Sequence, residues 1–128
     1  MPRSPALLLC AALFVGAGTL HLATPEPFER IVPAWVPSAR AAVLLSGVAE
    51  LLGGLGLLLP ATRPAARWGL GLLLVAVFPA NVEMAQHAQR FPVPAWVLWA
   101  RLPLQPLLLW WVWQVGRAAP PAPRAQRR

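Results

Sequence analysis

Charged positions along the chain fall in short clusters and leave long apolar stretches between them. Apart from His21, residues 4–25 form a charge-free run of 22 residues, and about 20 apolar residues carry a helix across a bilayer core. The first span is placed at 5–22. Residues 41–62 make a second 22-residue run broken only by Glu50. Pro60 and Pro64 stop it, because proline lacks an N–H and pushes the preceding residue out of helical geometry, so the second span is 39–59. Residues 68–82 are charge-free for only 15 positions. A start at Ala65 lengthens this third span to 65–81, with Arg67 snorkelling toward the headgroups. A fourth segment, 95–115, contains Arg101, Pro103, Gln105 and Pro106. Trp96 and Trp99 at one end, with Trp110, Trp111 and Trp113 at the other, resemble two interfacial belts. The 17 steps between Trp96 and Trp113 cover about 26 Å of helix.

The pattern predicts an all-α polytopic membrane protein, a bundle of four transmembrane helices with a short amphipathic segment after the first. That segment, 24–37, carries Pro25, Pro27, Pro33 and Pro37 around Phe28, Ile31, Val32, Trp35 and Val36. It reads either as an amphipathic cap on the outer surface or as an extended loop with buried anchors. Residues 1–117 form one membrane domain. Residues 118–128, rich in proline and arginine, form a disordered cytoplasmic tail that touches anionic lipid.

Composition strengthens the membrane reading: 58% of residues are hydrophobic, 12% are charged, and the mean hydropathy is +0.58, too apolar for an ordinary soluble domain. The net charge of +7 raises nucleic acid as a partner, but no hydrophilic basic face exists to follow a phosphate backbone. The arginines instead orient the spans. Arg3, Arg63, Arg67, Arg117, Arg124, Arg127 and Arg128 lie on one side. Arg30, Arg40, Arg90 and Arg101, with Glu26, Glu29 and Glu83, lie on the other. Positive charge stays inside, so both termini are cytoplasmic. Arg3 before an apolar run also fits a signal peptide; the length of the run and the lack of an A-x-A site favour a retained span. Cys10 is the single cysteine, which excludes an intramolecular disulfide, a CxxC pair and a cysteine metal cage.

Polar residues inside apolar spans carry the candidate chemistry. Glu50 lies near the middle of the second span, and a carboxylate at that depth faces a bundle interior or water. Ser46, Gly47, Gly53, Gly54 and Leu57 share its helical face, so another helix can approach closely. Glu50 therefore either handles a ligand or protons, or locks two helices together. Gln105 lies at matching depth in the fourth span and is expected to bond to Glu50. Arg101, one turn nearer the outer surface on the same face, pairs with Glu50 directly or through water; outward snorkelling between Trp96 and Trp99 is the alternative. Pro79, Pro103 and Pro106 free the carbonyls four residues before them, which places a small polar cavity, or simple kinks, in the outer halves of spans three and four. His21 and Asn81 face that side, His21 as a hydrogen-bonding or proton-handling group near Arg101 and Asn81. His21, Glu83 and His87 lack metal-ligand spacing, so no metal is expected; Glu83 and His87, four apart, form a surface pair. The glycines at 53, 54 and 56 lie inside an apolar helix and signal helix packing, not nucleotide binding.

The segments HLATPEPFERIVPAWVP (21–37), SGVAELLGGLGLLLP (46–60), VFPANVEMA (77–85) and RLPLQ (101–105) resemble the DoxX-type membrane proteins of bacteria, specifically their small uncharacterised subgroup. The resemblance implies a four-helix bundle in the bacterial cytoplasmic membrane. It also implies signature positions at His21, Pro33, Ser46, Gly47, Glu50, Pro79, Asn81, Arg101, Pro103 and Gln105. Relatives of that family include a quinone-reducing subunit of thiosulfate oxidation and proteins linked to redox or thiol stress. Leu22 stands where the family pattern has an aromatic, and Glu83 where it often has tyrosine. Three functions follow as expectations: a redox-associated subunit that holds a quinone or similar lipid-soluble ligand beside a partner oxidoreductase; a structural or assembly module, including a homo-oligomer; and a small proton-coupled transporter. No motif sets a catalytic cycle, so enzyme status stays open.

Overall fold

The computed structural model describes residues 4–117 and is all-α. Helix α1 runs Pro5–Ala23, α2 Glu26–Glu29, α3 Ala39–Leu58, α4 Arg63–Gln86 and α5 Ala95–Val115, with a 3₁₀ turn at Ala88–Arg90. The basic tail expected at 118–128 lies outside the described residues.

Helix ends follow their local chemistry. The Ser4 hydroxyl accepts from the Leu7 amide (3.1 Å) and the Ser38 hydroxyl from the Ala41 amide (3.2 Å), each satisfying one of the orphan donors of a first turn. At the end of α3 the Thr62 hydroxyl donates to the Gly56 carbonyl (2.8 Å) and Arg63 Nε to the Leu57 carbonyl (2.7 Å), which supplies side-chain donors to carbonyls of the last turn. The expected spans 5–22, 39–59 and 95–115 lie within one residue of α1, α3 and α5 at each end. The third differs. α4 begins before Pro64, because a proline in the first turn lacks only an N–H that has no partner there. It runs through Pro79 and past Glu83 to Gln86, five residues beyond the expected end.

α1, α3 and α4 are each long and apolar enough to cross a membrane. α5 matches them in length, but Arg101, Gln105 and two internal prolines dilute its hydropathy. Large apolar side chains point outward on all four long helices, among them Leu9, Leu45, Leu72 and Trp96. A small chain normally buries such residues.

α1 and α3 form one antiparallel pair and α4 and α5 another, joined through contacts of α3 with α4. One end of the bundle is closed. There Leu7, Cys10, Ala11 and Phe14 of α1 meet Leu57 of α3, Ala66, Leu70 and Leu74 of α4, and Val112 of α5; Cys10 is a buried apolar filler in this core. Toward the other end the pairs separate. Segment 24–37 covers the gap and combines features of both expected forms: a single helical turn, α2, followed by turns anchored by buried Pro25 and Pro33. Trp35 remains exposed.

Candidate functional site

Backbone proximity between α1 and α3 is where the site begins. A Cβ on Gly18 would sit 2.6 Å from the Gly47 carbonyl oxygen, and one on Gly54 would sit 2.9 Å from the Ala11 carbonyl oxygen. Neither backbone can yield, so only glycine allows this crossing. It also sets His21 beside the face of α3 that carries Glu50, because a Cβ on Gly47 would touch the His21 Cβ at 2.8 Å.

His21 Nδ1 lies 2.9 Å from Glu50 Oε2 and 2.6 Å from the Ala17 carbonyl oxygen. A carbonyl cannot donate, so Nδ1 carries the proton and Nε2 is the ring nitrogen left for a ligand or water. The proton lines up on Ala17. Glu50 Oε2, shielded from solvent, therefore has no aligned donor among the described residues despite its closeness to the ring, and a buried carboxylate oxygen in that state is costly. Phe28 of α2 stacks on the other side of the imidazole, with centroids 4.0 Å apart and planes at 25°, fixing the ring's orientation.

A second polar group joins α4 to α5. Asn81 Nδ2 donates to Gln105 Oε1 and Gln105 Nε2 donates to the Leu74 carbonyl, each at 3.0 Å. Both amides are 9% exposed. Arg101, exposed, extends the ladder outward, with one long bond from Nη2 to Asn81 Oδ1 (3.5 Å) and a contact from Nη1 to Met84 Sδ (3.3 Å). The Leu74 carbonyl lies one residue before Val75, whose carbonyl Pro79 leaves without its usual amide. Irregular backbone at Pro79 and the buried Gln105 thus meet in one place.

Both groups border a single open cleft of about 510 Å³, within the usual range of small-molecule sites. His21 and Glu50 lie on its α1/α3 side, Asn81, Arg101 and Gln105 on its α4/α5 side, and Phe28, Val32 and Val36 of the connecting segment line it as well. Ser46 and Pro79 also line it. Gly47 does not, and acts instead through the α1 crossing. Pro103 is exposed, and Pro106 faces a different groove.

Two expected pairings do not form. Glu50 pairs with His21, not with Arg101, and Gln105 bonds to Asn81 and Leu74, not to Glu50. The physical reason is rotational. Depth along a helix places Glu50 and Gln105 at one height, but the Gly47–Gly54 face of α3 turns Glu50 toward α1. His21 likewise sits against Glu50 and Phe28 rather than against Arg101 and Asn81. At the far end of α4, the His87 ring bonds the Glu83 backbone carbonyl at 2.9 Å, closing the helix end in place of the expected side-chain pair. Phe28, Met84, and the Ala17 and Leu74 carbonyls belong to the site without having been singled out. The only sequence signal for Phe28 is its place among the apolar residues of 24–37.

No curated protein and no solved structure matches the chain. Residues 10–116, which take in most of α1 and all later helices, match the family described as a domain of unknown function, DUF8561, and the chain belongs to that family.

Proposed function

We propose that this protein is a DoxX-like, four-span membrane protein that holds a quinone or a similar carbonyl-bearing, lipid-soluble molecule in the cleft between its helix pairs. The observation that carries the reading is the cleft's chemistry: apolar walls of ligand size, with His21 and Glu50 on one side and Asn81, Arg101 and Gln105 on the other. Polar groups so separated suit a flat molecule with oxygen atoms at opposite ends. The guanidinium of Arg101 can donate to a carbonyl oxygen, and the unprotonated Nε2 of His21 can accept from a hydroxyl at the opposite end, as the reduced form of a quinone carries.

α5 serves as the fourth span. Arg101 lies near its outer end, and Gln105 is satisfied within the bundle, so neither polar side chain faces the bilayer core. Arg63, Arg67 and Arg117 gather at the opposite end, which the positive-inside bias assigns to the cytoplasm together with both termini. The setting is the bacterial cytoplasmic membrane. A single buried thiol cannot cycle as a dithiol, so electrons for a bound quinone come from a partner oxidoreductase.

The test is purification of the full chain in mild detergent and identification of co-purifying small molecules by mass spectrometry. Stoichiometric quinone in the wild type, lost in Glu50→Gln and in Arg101→Gln, is the expected result. No bound molecule in any sample would favour an assembly module, the reading supported by the saturated Asn81–Gln105–Leu74 ladder, which by itself only joins two helices.

A further inference from the structure

α4 and α5 enclose a second concavity, separate from the cleft. Trp68, Gly71 and Val75 of α4 and Pro106, Leu109 and Trp113 of α5 line a groove of about 420 Å³. Each set follows the i, i+3, i+7 spacing of one helix face, and the lining is apolar throughout.

The groove has a built head. Trp68 and Trp113 meet edge to face, with centroids 5.0 Å apart at 89°. The Arg67 guanidinium lies over the Trp113 ring at 3.3 Å from its centroid, not extended freely as a snorkelling side chain would be. Gly116 leaves room for the Arg67 stem, since a Cβ there would fall 2.7 Å from the Arg67 Cβ. Clamped in this way, Arg67 keeps a shielded Nε with no acceptor among the described residues. Arg63 lies one turn away on the same face of α4, and Arg117 directly follows Gly116. The four glutamates are elsewhere: Glu26 and Glu29 in α2, Glu50 in mid-α3 and Glu83 in the last turn of α4. Among the described residues, this end of the bundle therefore presents three arginines and no carboxylate.

We infer that the groove binds one anionic phospholipid, with an acyl chain along Gly71 and Leu109 and the phosphate against Arg67, supported by Arg63 and Arg117. The inference rests on the membrane reading above. Charge complementarity selects the occupant: an apolar slot headed by uncompensated arginines matches an acyl chain that ends in an anion. A second copy suits the surface less well. Symmetry about the membrane normal would set the arginine end of one chain against that of the other.

The test reconstitutes the full chain in lipid discs of phosphatidylcholine containing a minority of phosphatidylglycerol and counts retained lipids by native mass spectrometry. The wild type should retain phosphatidylglycerol in preference to phosphatidylcholine. Arg67→Gln should reduce that preference about five-fold, the effect of one basic residue at an anionic surface. Gly71→Leu keeps the backbone, because a Cβ there meets only Leu109 Cδ1 at 3.4 Å, yet fills the groove and should lower retention of both lipids. A wild type without headgroup preference, a preference unchanged in Arg67→Gln, or retained dimers in place of retained lipid would each overturn the site while leaving the membrane reading intact. A chain that does not enter the discs at all would overturn the membrane reading and the site with it.

Discussion

The two polar groups that face each other across the cleft are held in opposite ways. Between α4 and α5, Asn81, Gln105 and the Leu74 carbonyl form a closed chain in which each amide donates one bond, and the helices are joined through these side chains. Between α1 and α3 the joining is done by glycines, backbone against backbone, and the polar pair His21–Glu50 is left incompletely bonded. A saturated network fixes register. An unsaturated one, supported by packing that does not depend on it, is free to serve a ligand. Stability and ligand handling are therefore expected to separate between the two halves of the cleft.

The largest effect expected is at the crossing itself. Gly18→Ala places a methyl group 2.6 Å from the Gly47 carbonyl and 2.8 Å from the Leu51 amide nitrogen, so the helices must part; the cost is about 3 kcal/mol, the upper part of the range for overpacking. Thermal unfolding in detergent, followed by tryptophan fluorescence, reads it. An unchanged midpoint would mean that α1 and α3 do not approach as closely as described.

Next comes the ladder. Gln105→Leu leaves Asn81 Nδ2 without an acceptor and takes the side-chain donor from the Leu74 carbonyl, and should cost roughly 1–2 kcal/mol, because a buried polar group without a partner loses its full solvation. Adding Asn81→Leu removes one of those orphans, so the double variant should be less unstable than the two losses summed. Strict additivity in that cycle would break the ladder. The α1/α3 pair should behave in the reverse manner: Glu50→Gln is close to isosteric and loses no well-aligned bond, so stability should change by less than about 1 kcal/mol while ligand retention falls. A Glu50→Gln chain as unstable as Gln105→Leu would erase the distinction between the two groups.

The four long helices were legible because charge placement marks where each apolar run begins and ends. Their polar residues were legible because Glu50 and Gln105 stand out in an apolar run. Pairing was not. Spacing along one helix gives height and face but not which neighbour that face meets, so depth alone pairs the Glu50 face with α5 when it meets α1. A usable signal existed: Ala11 and Gly18 in α1 repeat the seven-residue spacing of Gly47 and Gly54 in α3, two small-residue stripes fit for one another. Nothing comparable marks Arg67 for Trp113, because a cation–π contact between helices leaves no periodic trace. α4 outruns the expected span at residue 81 because Glu83 ends an apolar run without ending a helix, and the four-residue spacing of Glu83 and His87 is the sequence trace of that extension.

The smallest effect should come from the segment that joins the halves. Phe28 touches the dyad only through its stack on His21, and an aromatic pair of this kind contributes about 0.5–1.5 kcal/mol beyond its buried area. Phe28→Ala should therefore barely move global unfolding, yet it removes the contact that ties α2 to α1. The amides of Ile31 and Val32, bonded to the Phe28 and Glu29 carbonyls at 3.2 and 3.3 Å, belong to single turns with little else to hold them, so they should exchange hydrogen faster. The amides of α3 around Gly47 should keep their protection, because the glycine crossing does not involve Phe28. Faster exchange in both regions would mean that the connecting segment, and not the crossing, holds His21 against Glu50, and the incompletely bonded pair would then depend on a loop instead of a rigid helix pair.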